Sequence, residues 1–521
     1  MKRRIALMLS VGILSSLFFA CAVPKSAQDL SSTEYVTESN RVASACAPTM
    51  EGFPDMNTEE YAYREENRFL SVANNPLSTF SADVDTASYA NVRRMLTDGS
   101  GVVPDAVRIE EMVNYFHYDY PAPTDGSPFS VTTEIAPCPW NENTQLLLIG
   151  LQAVSPKTET LPASNLVFLI DVSGSMDEAD KLPLVKRAFL LLTENLRAED
   201  RISIVTYASS DRVVLSGASG ADKKTIMDAI ENLTAGGSTA GSKGITTAYA
   251  LARENYIEGG NNRIILATDG DLNVGVTSEG ELTRLVEKER ESGVFLSVMG
   301  FGTGNYKDNK LESLADNGNG NYSYIDSALE AKKVLIEEMG GTLFTVAKDV
   351  KLQIEFNPAI VKGYRLIGYE NRLLDAEDFA DDTKDAGEIG AGHRVTALYE
   401  IAKIDSAQPI DGVELKYQQP AATTDNAEWL TVNIRYKEPD GTESKLITRP
   451  VDDSAVTNTM SRNMTLASAV AQFGMLLSES EYAGTATYAS VAAQLKTIED
   501  ITADPYTDEL LYLVRQAERL D

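Results

Sequence analysis

The sequence predicts an α/β protein in which a doubly wound, mostly parallel sheet is flanked by a β-sandwich-like domain and by helical regions towards both ends. Three observations lead to this fold class. Between residues 162 and 345, short apolar runs alternate with segments of helical periodicity, which is typical of a parallel sheet covered by helices on both faces. After residue 346, apolar and polar residues alternate, as they do in half-buried strands. Near each end of the chain, apolar residues recur at helical spacing.

The first twenty residues have the pattern of an export signal. Lys2, Arg3 and Arg4 precede an apolar run from Ile5 to Ala20 that is too short for a comfortable membrane span. The run ends in LFFAC, which looks like a bacterial lipobox with Cys21 as the residue to be lipidated. An ordinary cleaved signal followed by a coincidental cysteine is the alternative. We expect acyl chains on Cys21 to anchor the mature chain in the bacterial cell envelope, at the outer membrane or a periplasm-facing membrane, without a transmembrane helix.

Composition and periodicity divide the chain into seven segments. They are a lipoprotein signal peptide (1–20), a flexible tether (21–57), an N-terminal helical region (58–125), strands of a flanking domain (126–161), the α/β domain (162–345), a β-rich domain (346–455) and a C-terminal helical region (456–521). The tether is rich in Ser, Thr, Ala and Asn and has no sustained periodicity. Because strand patterns occur on both sides of the α/β domain, we expect a β-sandwich whose sequence that domain interrupts.

The strands and helices that support this division are predicted from local patterns. In the flanking regions, apolar helical faces are expected around Ala106, Ile109, Met112, Val113 and Phe116, around Leu466, Val470, Phe473, Leu476 and Leu477, around Val491, Ala492 and Leu495, and from Leu510 to Leu520. Strands are expected at 128–135 and 144–153 and at VKLQIEF, GYRLIGYE, RVTALYEI, VELKYQ and WLTVNIRYK. In the α/β domain, strands are expected at 165–171, 201–207, 213–215, 264–268, 294–301 and 322–325, and helices at 179–196, 221–233, 242–256, 281–292 and from about 327.

Oxygen-bearing side chains follow the apolar runs of the α/β domain. The stretch NLVFLIDVSGS leaves a buried strand at Asp171 and continues with Ser173 and Ser175. The glycine-rich loop AGGSTAG carries Thr239, and the strand RIILATDG ends in Asp269. Since ligands bind at the carboxyl ends of strands in open α/β sheets, we expect these groups to face one edge. Hard oxygen donors suit a small divalent cation such as Mg²⁺.

This pattern of Asp-x-Ser-x-Ser, a distant Thr and a distant Asp resembles the metal-ion-dependent adhesion site of von Willebrand factor type A domains, which have a Rossmann-like fold. The resemblance implies that Ser173, Ser175 and Thr239 hold the metal, while Asp171 and Asp269 act directly or through water. It also implies that a carboxylate of a protein ligand fills the last coordination position. We expect Mg²⁺ as the cofactor, with Ca²⁺ or Mn²⁺ as alternatives.

The regions around that domain carry a second resemblance. The segments PLSTFSADVDTASYANVRRML and PDAVRIEEMVNYFHYDYP, together with GEIGAGHRVTALYEI near the other end, resemble the flanking regions of a subfamily of bacterial lipoproteins with a type A domain. The resemblance covers nearly everything after residue 58.

Composition narrows the functional classes. The formal net charge of −31 argues against nucleic acid as a partner, because phosphate is bound mainly by basic residues. There are two histidines, and neither HExxH nor GxSxG occurs, so we expect neither a histidine-based triad nor a His-rich zinc site. This count leaves carboxylate-based catalysis open, and we expect a protein that is not an enzyme. Three hypotheses follow: an envelope-anchored module that binds an acidic ligand through the metal, a scaffold for assembly or maturation of envelope complexes, and, with least support, a hydrolase.

Besides Cys21, the cysteines are Cys46 and Cys138. In an exported protein these two thiols meet an oxidising compartment, where a disulfide between them is one alternative. Two independent thiols are the other.

Overall fold

The computed structural model describes residues 59, 61–82, 85–155, 161–238, 241–270, 279–303, 308–338, 344–384, 386–413, 427–439 and 441–521. The strands of this part of the chain are β1 (Leu70–Ser71), β2 (Leu77–Ser81), β3 (Phe129–Pro137), β4 (Gln145–Ala153), β5 (Ser164–Asp171), β6 (Arg201–Tyr207), β7 (Asp211–Ser219), β8 (Asn261–Thr268), β9 (Phe295–Phe301), β10 (Tyr322–Ile325), β11 (Thr345–Phe356), β12 (Val361–Ile367), β13 (Gly387–Gly390), β14 (Arg394–Lys403), β15 (Glu428–Lys437) and β16 (Ser444–Asp452). The helices are α1 (Ala87–Thr97), α2 (Ile109–Asn114), α3 (Leu182–Glu194), α4 (Lys223–Glu231), α5 (Gly241–Glu254), α6 (Glu279–Arg290), α7 (Asp308–Asn317), α8 (Ala328–Lys332), α9 (Arg462–Leu477), α10 (Tyr488–Leu495) and α11 (Pro505–Leu520).

The central sheet has the strand order β10-β9-β8-β5-β6-β7 and is parallel except for β7, which pairs antiparallel with β6 at one edge. All eight residues of β5 are buried, because helices cover both faces of the sheet. Phe168 and Ile170 pack against α3, α4 and α8, whereas Val167 and Leu169 pack against α5, α6 and α7. The predicted doubly wound α/β fold is therefore confirmed.

Several boundaries in this domain differ from the sequence prediction by a few residues, and β7 and α3 are two examples. The edge strand β7 is longer than the predicted 213–215, since Asp211–Ser219 pairs with β6 along its length, with irregular register. A short 3₁₀ turn, Gly174–Asp177, follows β5, and helix α3 begins only at Leu182, with Pro183 in its first turn.

The strands around the central domain form two further sheets. One has the order β1-β12-β14-β4-β3, and the other has the order β13-β11-β15-β16 with β2 added to β11. A shared core joins them, including Leu147 and Ile149 of β4 and Leu352 and Ile354 of β11. Because β3 and β4 precede the central domain and β12 and β14 follow it, the hypothesis of an interrupted sandwich is confirmed. Of the predicted strand VELKYQ, only Val413 lies within the described residues.

Helices cover the outer face of the first of these sheets. Leu146, Leu148 and Leu398 contact a core formed by α2, α9, α10 and α11, in which Met112 and Phe473 are fully buried. Most residues of the predicted amphipathic faces pack here, whereas Leu520 is exposed. The segment 58–125 was expected to be helical, yet it also supplies β1 and β2 to the sandwich. Nothing local signals these short strands, because their partners β12 and β11 lie far along the sequence.

The helices of the described residues include none with the length and apolar character that crossing a bilayer requires.

Candidate metal centre

The first part of the candidate site is the turn after β5. Asp171 is fully buried, and its Oδ1 accepts a hydrogen bond of 2.8 Å from the backbone N–H of Ser173. Ser173 is buried and Ser175 is exposed, and their hydroxyl oxygens are 3.0 Å apart. The N–H of Met176 donates to the carbonyl of Ser173 at 3.1 Å and closes the turn. One carboxylate and two hydroxyls are thus held together within five residues.

The glycine-rich loop is fastened to this turn by backbone hydrogen bonds. Gly236 N–H donates to the carbonyl of Val172 at 2.7 Å, and Gly174 N–H donates to the carbonyl of Gly237 at 2.9 Å. Gly237 has a φ of +90°, a conformation that favours glycine, and a Cβ there would lie 2.6 Å from Ser209 Oγ. The loop up to residue 238 therefore lies against the Asp171 turn. Thr239, which was predicted from this loop, is outside the described residues.

Asp269 follows β8, which is the neighbour of β5 in the sheet, with Ala267 opposite Ile170. Its side chain is buried, and Gly270 behind it has a φ of +94°. Thr268 links the two strand ends, because its hydroxyl accepts the Gly270 N–H at 3.2 Å and lies 3.5 Å from Asp171 Oδ2. Both predicted carboxylates consequently stand at the carboxyl edge of adjacent parallel strands.

The electrostatics of this edge disfavour the charged form of Asp171. Burial raises the pKa of Asp171 from 3.8 to about 6, and the negative charge of Asp269 adds to that increase, while hydrogen bonds from Ser173 partly oppose it. A carboxyl whose charged form is this costly gains from a nearby cation. The donor set, two carboxylates with serine hydroxyls and no sulfur or imidazole, fits a hard divalent ion.

A positively charged side chain of the protein also lies at this edge. Lys181 is buried, and its Nζ lies 3.5 Å from Asp269 Oδ2. Sequence reasoning missed this residue and Thr268, since a lysine before a helix and a threonine in a strand carry no signal of a site. Only the fold brings them to the edge.

Some sequence predictions concern residues whose surroundings the structure does not describe. Cys21 and Cys46 are among them, so lipidation and the disulfide alternative stay predictions. Cys138 is described: it is buried, and burial raises the pKa of its thiol to about 12.

Comparison with known proteins assigns the chain to a family. A family model described as von Willebrand factor type A domain matches residues 165–338, one described as von Willebrand factor matches residues 55–148, and one described as the C-terminal part of uncharacterized protein YfbK matches residues 341–520. YfbK of Escherichia coli K12 is 45% identical over 469 residues, which cover 88% of this chain and 81% of that protein. The chain belongs to the YfbK family.

Other matches cover smaller parts of the chain. Uncharacterized protein sll0103 of a Synechocystis strain is 27% identical over 274 residues, covering 50% of this chain and 63% of that protein. A solved structure, von Willebrand factor type A from Catenulispora acidiphila, covers 78% of this chain and 88% of its own at 16% identity and a TM-score of 0.40.

The resemblance to bacterial proteins that combine a type A domain with characteristic flanking regions is therefore confirmed. Type A domains are in general protein-interaction modules rather than enzymes. The similarity to YfbK also covers the sandwich and the helices that flank the central domain.

Proposed function

We propose that this YfbK-family protein is an envelope-anchored module that binds a protein, or another acidic ligand, through a divalent cation at the carboxyl edge of the central sheet. Asp171, Ser173, Ser175, Thr239 and Asp269 would hold the cation, with Mg²⁺ expected and Ca²⁺ or Mn²⁺ as alternatives. The cation would supply a Lewis-acidic position that a ligand carboxylate completes.

The observation that carries this proposal is the pair of buried carboxylates at adjacent strand ends. Asp171 and Asp269 are 0% and 3% exposed. Two buried like charges are costly unless cations compensate them. An exposed ion pair contributes little to binding, whereas a cation held in a buried site makes the contact with a ligand carboxylate directional.

The experiment is capture of envelope ligands on immobilised protein. Retention should require Mg²⁺, disappear with a chelator, and return when Mg²⁺ is restored. Asp171→Ala should abolish retention, whereas Asp180→Ala, which removes a carboxylate from the same loop without touching the cluster, should leave it intact. Retention that survives both the chelator and Asp171→Ala would refute the metal-dependent mechanism.

The same experiment distinguishes the scaffold hypothesis from metal-dependent ligand binding. A complex that assembles on the protein independently of the cation would remain bound in the chelator and with Asp171→Ala. Identification of the retained proteins would then point to an assembly role rather than to carboxylate recognition.

Anchoring is tested separately. Labelled palmitate should be incorporated into the chain in bacterial cells, and Cys21→Ser should abolish incorporation and release the protein from the membrane fraction. Cys138→Ser is the matched control, because that thiol is buried in the fold. Unchanged membrane association of Cys21→Ser would exclude the lipid anchor.

A further inference from the structure

Lys181 lies in the candidate site but is not part of the Asp-x-Ser-x-Ser, Thr and Asp pattern. It immediately precedes α3 and is 5% exposed, which is unusual for a lysine. Its Nζ lies 3.5 Å from Asp269 Oδ2 and 3.8 Å from Glu178 Oε2. The side chain of Glu178 is 65% exposed and that of Asp269 is 2% exposed, so Asp269 is the partner whose charge is shielded least by water.

The backbone makes room for this lysine. Gly302 follows β9 with a φ of +75°, and a Cβ there would lie 2.5 Å from Lys181 Cγ and 2.8 Å from Cδ. The carbonyl of Gly302 accepts a hydrogen bond of 2.9 Å from the hydroxyl of Tyr324, which holds the loop. Any other residue at this position would push the lysine stem away, so the ammonium is held beside Asp269 by the shape of the fold as well as by charge.

The charges at the edge can be counted. Among the buried groups, Asp171 and Asp269 contribute two negative charges when ionised, and Lys181 contributes one positive charge. Glu178 is left out of this count because its side chain is 65% exposed and water screens its charge. A bound divalent cation therefore leaves the site one charge positive, whereas the same site without Lys181 would be neutral. In a buried setting such a difference is weakly screened.

We propose that Lys181 is a specificity-determining residue that weakens the hold on the cation and keeps the loaded site positive, so that an anionic ligand is preferred to a neutral one. This inference rests on the proposed function, because it concerns the same site. It predicts that the site binds the cation weakly on its own and that an anionic ligand strengthens this binding.

The test measures binding of Mn²⁺ alone, followed by the electron paramagnetic resonance signal of the free ion. Lys181→Met should bind Mn²⁺ at least about 10-fold more tightly than the wild type, a factor that corresponds to about 1.4 kcal/mol. Lys181→Arg, which retains the charge, should bind as the wild type does. Lys186→Met is the matched control: it removes a lysine of α3 whose Nζ donates to the carbonyl of Glu231, and it should leave the affinity unchanged.

The outcomes distinguish this inference from the proposed function. Equal Mn²⁺ affinity of the wild type and Lys181→Met would overturn the role of Lys181 and leave the cation site standing. Absence of saturable Mn²⁺ binding in every variant would overturn both.

A measurement on the wild type covers the case in which Lys181→Met does not fold. Water-proton relaxation of the Mn²⁺-loaded protein should fall when acetate displaces bound water and should be unaffected by acetamide, which has a similar shape but no charge. Equal effects of acetate and acetamide would overturn the proposed preference for an anion.

Discussion

Replacing Asp171 with asparagine should remove a pH-dependent cost from the metal-free protein. The pKa of this carboxyl is raised from 3.8 to about 6, chiefly by burial. A shift of about two units corresponds to about 3 kcal/mol at roughly 1.4 kcal/mol per unit. Asparagine keeps the size of the side chain and an oxygen that can accept the Ser173 N–H, so the variant isolates the charge.

The sign follows from proton linkage. Between pH 3.8 and about 6 the folded state binds a proton at Asp171 more strongly than the unfolded state does. The resulting stabilisation is fully present below pH 3.8 and is lost as the pH rises through about 6. In chelator, the free energy of unfolding of Asp171→Asn relative to the wild type should therefore increase by about 3 kcal/mol between pH 3.5 and pH 7.5.

The assay is urea denaturation at a series of pH values, followed by circular dichroism at a helical wavelength. Asp180→Asn is the control for loss of one carboxylate on the same loop. Added Mg²⁺ at pH 7.5 should stabilise the wild type and leave Asp171→Asn unaffected, since only the wild type would bind the ion in its folded state. A stability difference that is constant with pH, or that grows as the pH falls, would refute the reasoning.

Three further outcomes are expected elsewhere in the fold. Arg93→Met should lower the free energy of unfolding by about 3–5 kcal/mol in chemical denaturation, because it leaves the buried Glu330 without its guanidinium partner at 2.7 Å. Loss of the exposed Lys224–Asp228 pair should cost far less, and equal effects of the two changes would contradict this. Gly387→Ala should destabilise the sandwich, since its Cβ would collide with a neighbouring backbone carbonyl, and an unchanged melting temperature would show that the backbone can shift there. In reduced protein, Cys138 should react with a thiol reagent at pH 8 only after unfolding, because burial raises its pKa to about 12; fast reaction of the native protein would contradict that environment.

Local sequence patterns predicted the central domain well because its strands are buried on both faces. The apolar runs of β6 and β10 correspond to Arg201–Tyr207 and Tyr322–Ile325, as predicted. The interrupted sandwich could also be predicted, because alternating runs on both sides of one domain have few other ways to bury their apolar faces.

What the sequence did not reveal depends on contacts between distant segments. The strand Leu77–Ser81 is short and partly polar, and it forms because its backbone pairs with β11. Likewise, the side chain of Lys181 packs against Gly302, where any larger residue would collide with it. No local pattern in the sequence indicates this contact. The acidic and hydroxyl residues of the site were predictable because they follow apolar strands at recognisable spacing.

The most direct test of the central claim is isothermal titration of Mg²⁺ into the purified, chelator-treated protein. The account predicts saturable binding of one ion per chain, lost in both Asp171→Ala and Asp269→Ala and retained in Asp180→Ala. Absence of saturable binding, or binding that persists in both of the first two variants, would contradict the proposal that these strand ends hold a cation.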